Sequence, residues 1–106
     1  MAKYLIKASY TAEGTKGLLR DGGTRRRAVV EEMVQSLNGK LEAFYFGYGE
    51  ADVYAIADMP DEVSAVAISM IVNASGAVAL STTPLLTAEQ VDTACKRSID
   101  YRPPGS

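Results

Sequence analysis

Few residues in this chain have the type and spacing to do chemistry. Asp52 follows Gly49-Glu50-Ala51 at the head of an alternating stretch. A carboxylate there can serve as a base or a ligand anchor, or it can bond the amides of the turn it follows. Arg25-Arg26-Arg27 is the one basic cluster. Arginine makes bidentate bonds to carboxylate or phosphate, and a helix start adds amide donors. The alternative is a solvated face paired to Glu31 and Glu32 one turn later. Thr11, Thr82 and Thr83 fall at expected strand ends, where hydroxyls orient polar ligands or cap helices. Tyr10, Tyr45, Tyr48 and Tyr54 can line a cavity with hydroxyl donors, or fill a core and an interface. Cys95 falls mid-helix near Val91 and Ala94, where a buried structural thiol is expected. The residues singled out for ligand binding are therefore Tyr10, Thr11, Arg25, Arg26, Arg27, Asp52, Tyr54 and Thr83. No catalytic residue can be assigned.

The absences narrow the chemistry further. The chain contains no histidine, which excludes a Ser–His–Asp triad, a histidine general base, histidine-ligated zinc and a proximal haem histidine. No metal site and no cofactor are expected. Gly47-Tyr48-Gly49 superficially resembles a nucleotide loop, but it joins two strands, and a phosphate loop must lead into a helix. The net charge of −2 offers no electrostatic footprint for nucleic acid, and three adjacent arginines are too few for a phosphate-tracking groove. The longest apolar region, residues 63–80, is interrupted by Ser64, Ser69, Asn73, Ser75 and Gly76, so no membrane span is expected. The single cysteine permits no intrachain disulfide and fits a reducing, cytoplasmic setting.

These residues must be positioned by one domain, since 106 residues suit a single core and not two. Residues 3–10 alternate as a strand, with Tyr4, Ile6, Ala8 and Tyr10 on one face and Leu5, Lys7 and Ser9 on the other. Thr11 can cap a loose helix over residues 12–19, weakened by Gly14 and Gly17 and broken at Asp21-Gly22-Gly23. A firmer helix is predicted over residues 24–37, with Thr24 as N-cap and Val30, Met33, Val34 and Leu37 as its buried stripe. Its arginines sit in the first turn, where they oppose the helix dipole. Gly39 is expected to end it in a left-handed cap near Asn38.

Residues 40–48 form the second strand, with Leu41, Ala43 and Tyr45 on one side and Glu42, Phe44 and Phe46 on the other. A glycine turn leads to the third strand, residues 51–59, giving an antiparallel hairpin. Pro60-Asp61-Glu62 opens a helix with an apolar stripe of Val63, Val66, Ala67, Met70, Ile71 and Ala74. Gly76 closes it, residues 77–83 make the fourth strand, and Pro84 stops that strand. Thr87 to Gln90 has capping-box spacing, so a last helix over residues 88–98 is expected.

The order is that of a split βαβ, or ferredoxin-like, α+β fold: βαββαβ, a four-stranded antiparallel sheet, helices on one face and an extra C-terminal helix. The domain covers residues 1–100. Residues 101–106 form an extended tail, either disordered or laid as an arm on a neighbouring subunit. Large apolar residues occupy both faces of the strands, whereas a one-sided sheet should be polar outside. A second copy of the chain is therefore expected on the open sheet face, as a homodimer or higher homo-oligomer.

The Tyr10-Thr11-x-x-Gly14 start, an arginine before the first long helix, Gly39, the run Gly49 to Asp52, Pro60-Asp61, Gly76 and the threonines at 82 and 83 together resemble the GYD-domain family. This is a family of small bacterial proteins of uncharacterised function. The chain departs from the namesake motif, with Ala51 where the family's tyrosine is expected. The resemblance implies a ferredoxin-like fold assembled as a dimeric α/β barrel, and it brings no established reaction. The expected function is a binding or scaffold role with a small-ligand pocket between sheet and helices, the ligand a small anion. The alternative is a cofactor-independent enzyme of the dimeric α/β-barrel type, an oxygenase, isomerase or decarboxylase acting on a small organic molecule.

Overall fold

The computed structural model describes residues 1–105. Its elements run β1 (Ala2–Tyr10), α1 (Ala12–Asp21), α2 (Gly23–Ser36), β2 (Lys40–Phe46), β3 (Val53–Met59), α3 (Glu62–Ala74), β4 (Val78–Leu85) and α4 (Ala88–Cys95). The strands form one four-stranded sheet in the order β2-β3-β1-β4, and every neighbouring pair is antiparallel. Alternation puts Tyr4, Ile6 and Ala8 of β1 and Val53, Ala55, Ala57 and Met59 of β3 on one buried face. Val34 of α2 and Ala65 and Ile68 of α3 complete the core against that face, with Val30, Met33, Leu37 and Val72 packed around them.

The alternation expected for β2 breaks at one point. Leu41 pairs with Ala57, but Ala43 pairs with Ile56, so Glu42 is an extra residue in a β-bulge. The bulge returns Phe44 and Phe46 to the face of Leu41, where both pack on the core, and sends Ala43 and Tyr45 to the open face. Strict period-2 counting separates Leu41 from the two phenylalanines. In the edge strand β4, Pro84 does not end pairing. It lies opposite Tyr4 and the strand continues to Leu85, because an edge strand has one side that needs no N–H donor.

The helix ends depart from expectation in similar ways. Gly22, not Thr24, is the N-cap of α2, and no side chain caps that end. Asn38, not Gly39, takes the left-handed conformation, with φ 62°. Gly39 is there for space: a Cβ on it would lie 2.7 Å from the Met59 sulfur and 2.8 Å from the Asp58 carbonyl oxygen. In the hairpin turn Tyr48 is the left-handed residue, with φ 61°.

The largest correction concerns α3. The stripe through Val63, Val66, Met70 and Ile71 points away from the core, while Ala65, Ile68 and Val72 point in. Hydroxyl and amide groups on the inward flank settle that phase. Ser69 Oγ and Thr82 Oγ1 share a hydrogen bond of 2.5 Å. Asn73 brackets Leu80, its Nδ2 donating to the carbonyl at 3.1 Å and its Oδ1 accepting from the amide at 2.7 Å. A helix apolar on all sides has no phase that hydrophobicity alone can select.

α1 is a full helix, pinned at its start to the connection between α3 and β4. Thr11 Oγ1 accepts from the Gly14 amide at 3.3 Å and donates to the Gly76 carbonyl at 2.9 Å, and the Thr11 amide donates to the Ala77 carbonyl at 3.0 Å. A Cβ on Gly14 would lie 2.0 Å from the Ala77 oxygen, whereas one on Gly17 would find nothing nearer than 3.9 Å. Gly14→Ala is thus expected to cost about 1–3 kcal/mol, as overpacking does. Gly17→Ala in the same helix should gain up to about 1 kcal/mol. Urea denaturation of the two variants checks the pair, and equal effects would contradict this account of α1.

Candidate functional site

Above the end of the sheet where β1 stops and β4 starts, α1, α2 and α3 leave a cavity of about 450 Å³. Leu18, Met33, Ile71, Val72 and Val78 give it apolar walls, while Tyr10 and Arg26 carry its inner polar groups and Glu13, Arg20 and Asp21 the polar groups of α1. A second, narrower cavity continues beneath it into the core and shares Tyr10, Arg26, Met33, Val72 and Val78. Arg26 thus stands where an open pocket meets a dry interior.

The three arginines differ in what surrounds them. Arg25 and Arg27 are exposed and Arg26 is half-buried. Helical phase accounts for this: Arg26 precedes Val30 by four residues and Met33 by seven, so it extends the buried stripe of α2 by one turn. Among the described residues none of the three is in an ion pair with a carboxylate; the pairs involve Lys3, Lys7 and Lys16. The Arg26 Nε is buried and has no hydrogen-bond partner. A buried donor without an acceptor costs about 1–3 kcal/mol, more when charged. The adjoining end of α2 has no side-chain cap to occupy its amides.

Tyr10 is the second interior group. Burial pushes its hydroxyl above the ordinary phenol value, and the neighbouring Arg26 guanidinium opposes that shift without cancelling it. The hydroxyl therefore stays protonated at neutral pH and acts as a donor. The stability it contributes is fully present below the unfolded phenol value, about 10. It is lost as pH rises through the higher folded value. Arg26→Met should move the Tyr10 titration further upward in an ultraviolet difference titration, and a downward move would contradict this placement of the two groups.

The remaining residues singled out from sequence lie elsewhere. Asp52 Oδ2 accepts the Tyr10 backbone N–H at 2.8 Å, its own amide donates to Ala8 at 2.8 Å, and its carbonyl accepts from Gly47 at 2.9 Å. It fastens the hairpin to β1 and lines neither cavity described. Thr11 is the α1 cap. Thr83 lies opposite Leu5 and Tyr54 opposite Lys7, both on the open sheet face, with the Tyr54 hydroxyl accepting from the Ala51 amide at 3.3 Å. Tyr45 and Tyr48 are exposed, and Tyr48 stacks on Phe46 at 6.2 Å. Cys95 is exposed rather than buried, because no residue of α4 is buried against the rest of the chain. Sequence reasoning misses Glu13, Leu18, Arg20 and Asp21, since it predicts over residues 12–19 only a loose helix with no face turned to a cavity. The signal that could have distinguished Arg26 was its phase with Val30, Met33 and Val34.

The open face itself has a defined composition. Leu5 and Ile56 are directly opposed at its centre, with Ala43 and Thr83 on either side of them. Charge borders this patch. Lys3 Nζ reaches Glu42 at 2.6 Å and Asp58 at 3.0 Å, and Lys7 reaches Glu50 at 2.9 Å. Hydrogen bonds to these carboxylates hold both ammonium groups above the ordinary lysine value. No helix among the described residues is long and apolar enough to cross a membrane.

In comparison with known families, the model described as GYD domain matches residues 4–95. No curated protein and no solved structure matches the chain.

Proposed function

This chain belongs to the GYD-domain family, and from that premise we propose that it binds a small organic anion in the cavity walled by Tyr10 and Arg26. The observation that carries the reading is Arg26, which lines a cavity large enough for a small molecule, has no carboxylate partner among the described residues, and keeps a buried Nε without an acceptor. A carboxylate supplies the missing acceptor, the Tyr10 hydroxyl donates a second bond, and Leu18, Met33, Ile71 and Val72 take up an apolar body. A binding role suits these groups better than the cofactor-independent enzyme. That alternative needs a base beside the ligand: Asp52 is engaged with the Tyr10 amide, Tyr10 itself stays protonated, and the carboxylates that do line the cavity, Glu13 and Asp21, stand on α1 rather than beside Tyr10 and Arg26 on β1 and α2.

The working form in this proposal is a homodimer. The strand order β2-β3-β1-β4 with α2 and α3 on one face supports the ferredoxin-like reading. The Leu5–Ile56 patch supports a second copy seated on the other face, as in a dimeric α/β barrel.

Thermal-shift screening with small carboxylates and phosphates tests the ligand. At a hundredfold excess over Kd, binding stabilises by about 2.7 kcal/mol. For a domain near this size that raises Tm by roughly 10 °C or more. A panel of aliphatic and aromatic carboxylates that leaves Tm unmoved would overturn the proposal.

A further inference from the structure

Two surfaces of this chain lack partners and complement each other. The outer stripe of α3 is one: Val63 is 78 % exposed, Met70 66 % and Ile71 70 %, and α3 carries no basic residue. The other is the C-terminal segment, where every residue from 86 to 105 is exposed. The radius of gyration is 16.9 Å, against about 13 Å for a compact chain near this length. The segment thus projects from the body.

The projecting segment still holds a helix. Thr87 and Gln90 close a full capping box, at 2.8 and 3.1 Å. Yet α4 has 8 residues, and helices shorter than about 12–15 residues are marginal in water without tertiary packing. Ala88, Val91, Ala94 and Cys95 share one side of it, small residues that let a partner helix approach closely. We propose that α4 of one copy packs antiparallel on the exposed α3 stripe of a second copy.

Chain direction and charge choose a second copy over the chain's own α3. β4 ends beside the start of β1, since Leu85 pairs with Lys3, and Ala2 pairs with Met59, just before α3 begins. If α4 turned back onto its own α3 it would run parallel to it, with aligned dipoles. It would also bring Glu89 and Asp92 beside Asp61 and Glu62, which raises the energy. A second copy is free of that constraint. Antiparallel packing sets Lys96 and Arg97, after the end of α4, against Asp61 and Glu62 at the start of α3, and pairs opposite helix ends.

Cys95 makes the arrangement measurable in the full chain. Val63→Cys and Ala74→Cys each add a thiol at an exposed position, at opposite ends of α3. Both proteins are treated with a short bismaleimide beside the native chain, after circular dichroism confirms native folding. Val63→Cys is expected to give covalent dimers at about tenfold the native level or more, with Cys95 joined to position 63 of the other copy by peptide mass. Ala74→Cys should stay at the native level. Dimers through position 74, a bridge within one chain, or no gain over the native chain would each overturn the proposal.

Discussion

Arg26→Met should weaken the ligand response sharply and, without ligand, make the protein more stable. The buried Nε has no acceptor, so removing it relieves about 1–3 kcal/mol of unmet desolvation. Methionine leaves a flexible apolar chain beside Met33, Val72 and Val78, the neighbours on that wall. The same change removes a charge-assisted bond to the ligand worth about 1.5–3 kcal/mol, or roughly 10- to 150-fold in Kd. Opposite signs are the useful feature, since an ordinary core residue would lose stability when replaced. Arg25→Met and Arg27→Met, at exposed positions in the same turn, should do neither. Urea denaturation and isothermal titration with a carboxylate from the screen measure the two effects. A destabilised Arg26→Met protein that still binds would sink the assignment.

Leu5→Glu should separate the proposed dimer. Leu5 lies between Ile56 and Thr83 at the centre of the open face. A carboxylate there must be buried unpaired or keep the copies apart. Central interface positions cost about 2–4 kcal/mol when disrupted, which weakens association roughly 30- to 1,000-fold. Val29→Glu, at an exposed apolar position on α2, is the matched control and should leave association alone. Sedimentation equilibrium across micromolar concentrations reads both. A native chain that is already monomeric there would contradict the open-face interface.

The parts of the fold legible in sequence are those where a local rule had no competitor. β1 and β3 alternate without interruption, and their faces follow directly. Thr11 and Thr87 cap their helices as their residue type and spacing indicate, whereas α3 starts at Glu62 with Asp61 as its cap, so Pro60 stands before the helix and not in its first turn. What was not legible depended on tertiary choice. The bulge at Glu42 leaves no mark in composition, and it reverses the faces of the next four residues. The phase of α3 is undetermined by hydrophobicity because Val, Ile, Met and Ala occupy every side. Its inward face is chosen by Ser69 and Asn73, whose bonds to Thr82 and Leu80 require β4 to be in place. The site divides in the same way. The arginine cluster was visible as a run opposed to the dipole, but its members are distinguished by burial. Asp52 and Thr11 were visible as residue types, and their partners turn out to be backbone groups of β1, α1 and the α3–β4 connection.

The account rests on the unpartnered Arg26 donor, and its Nε–H resonance in solution reports on it directly. Native protein and Arg26→Met identify that signal in a nitrogen-15 spectrum, and a carboxylate that raises Tm is then titrated in. The account predicts a saturable downfield movement of the Arg26 signal alone, as the donor acquires a charged acceptor, with Arg25 and Arg27 unmoved. An Arg26 signal that stays in place while the ligand binds, or that moves no more than its exposed neighbours, would contradict it.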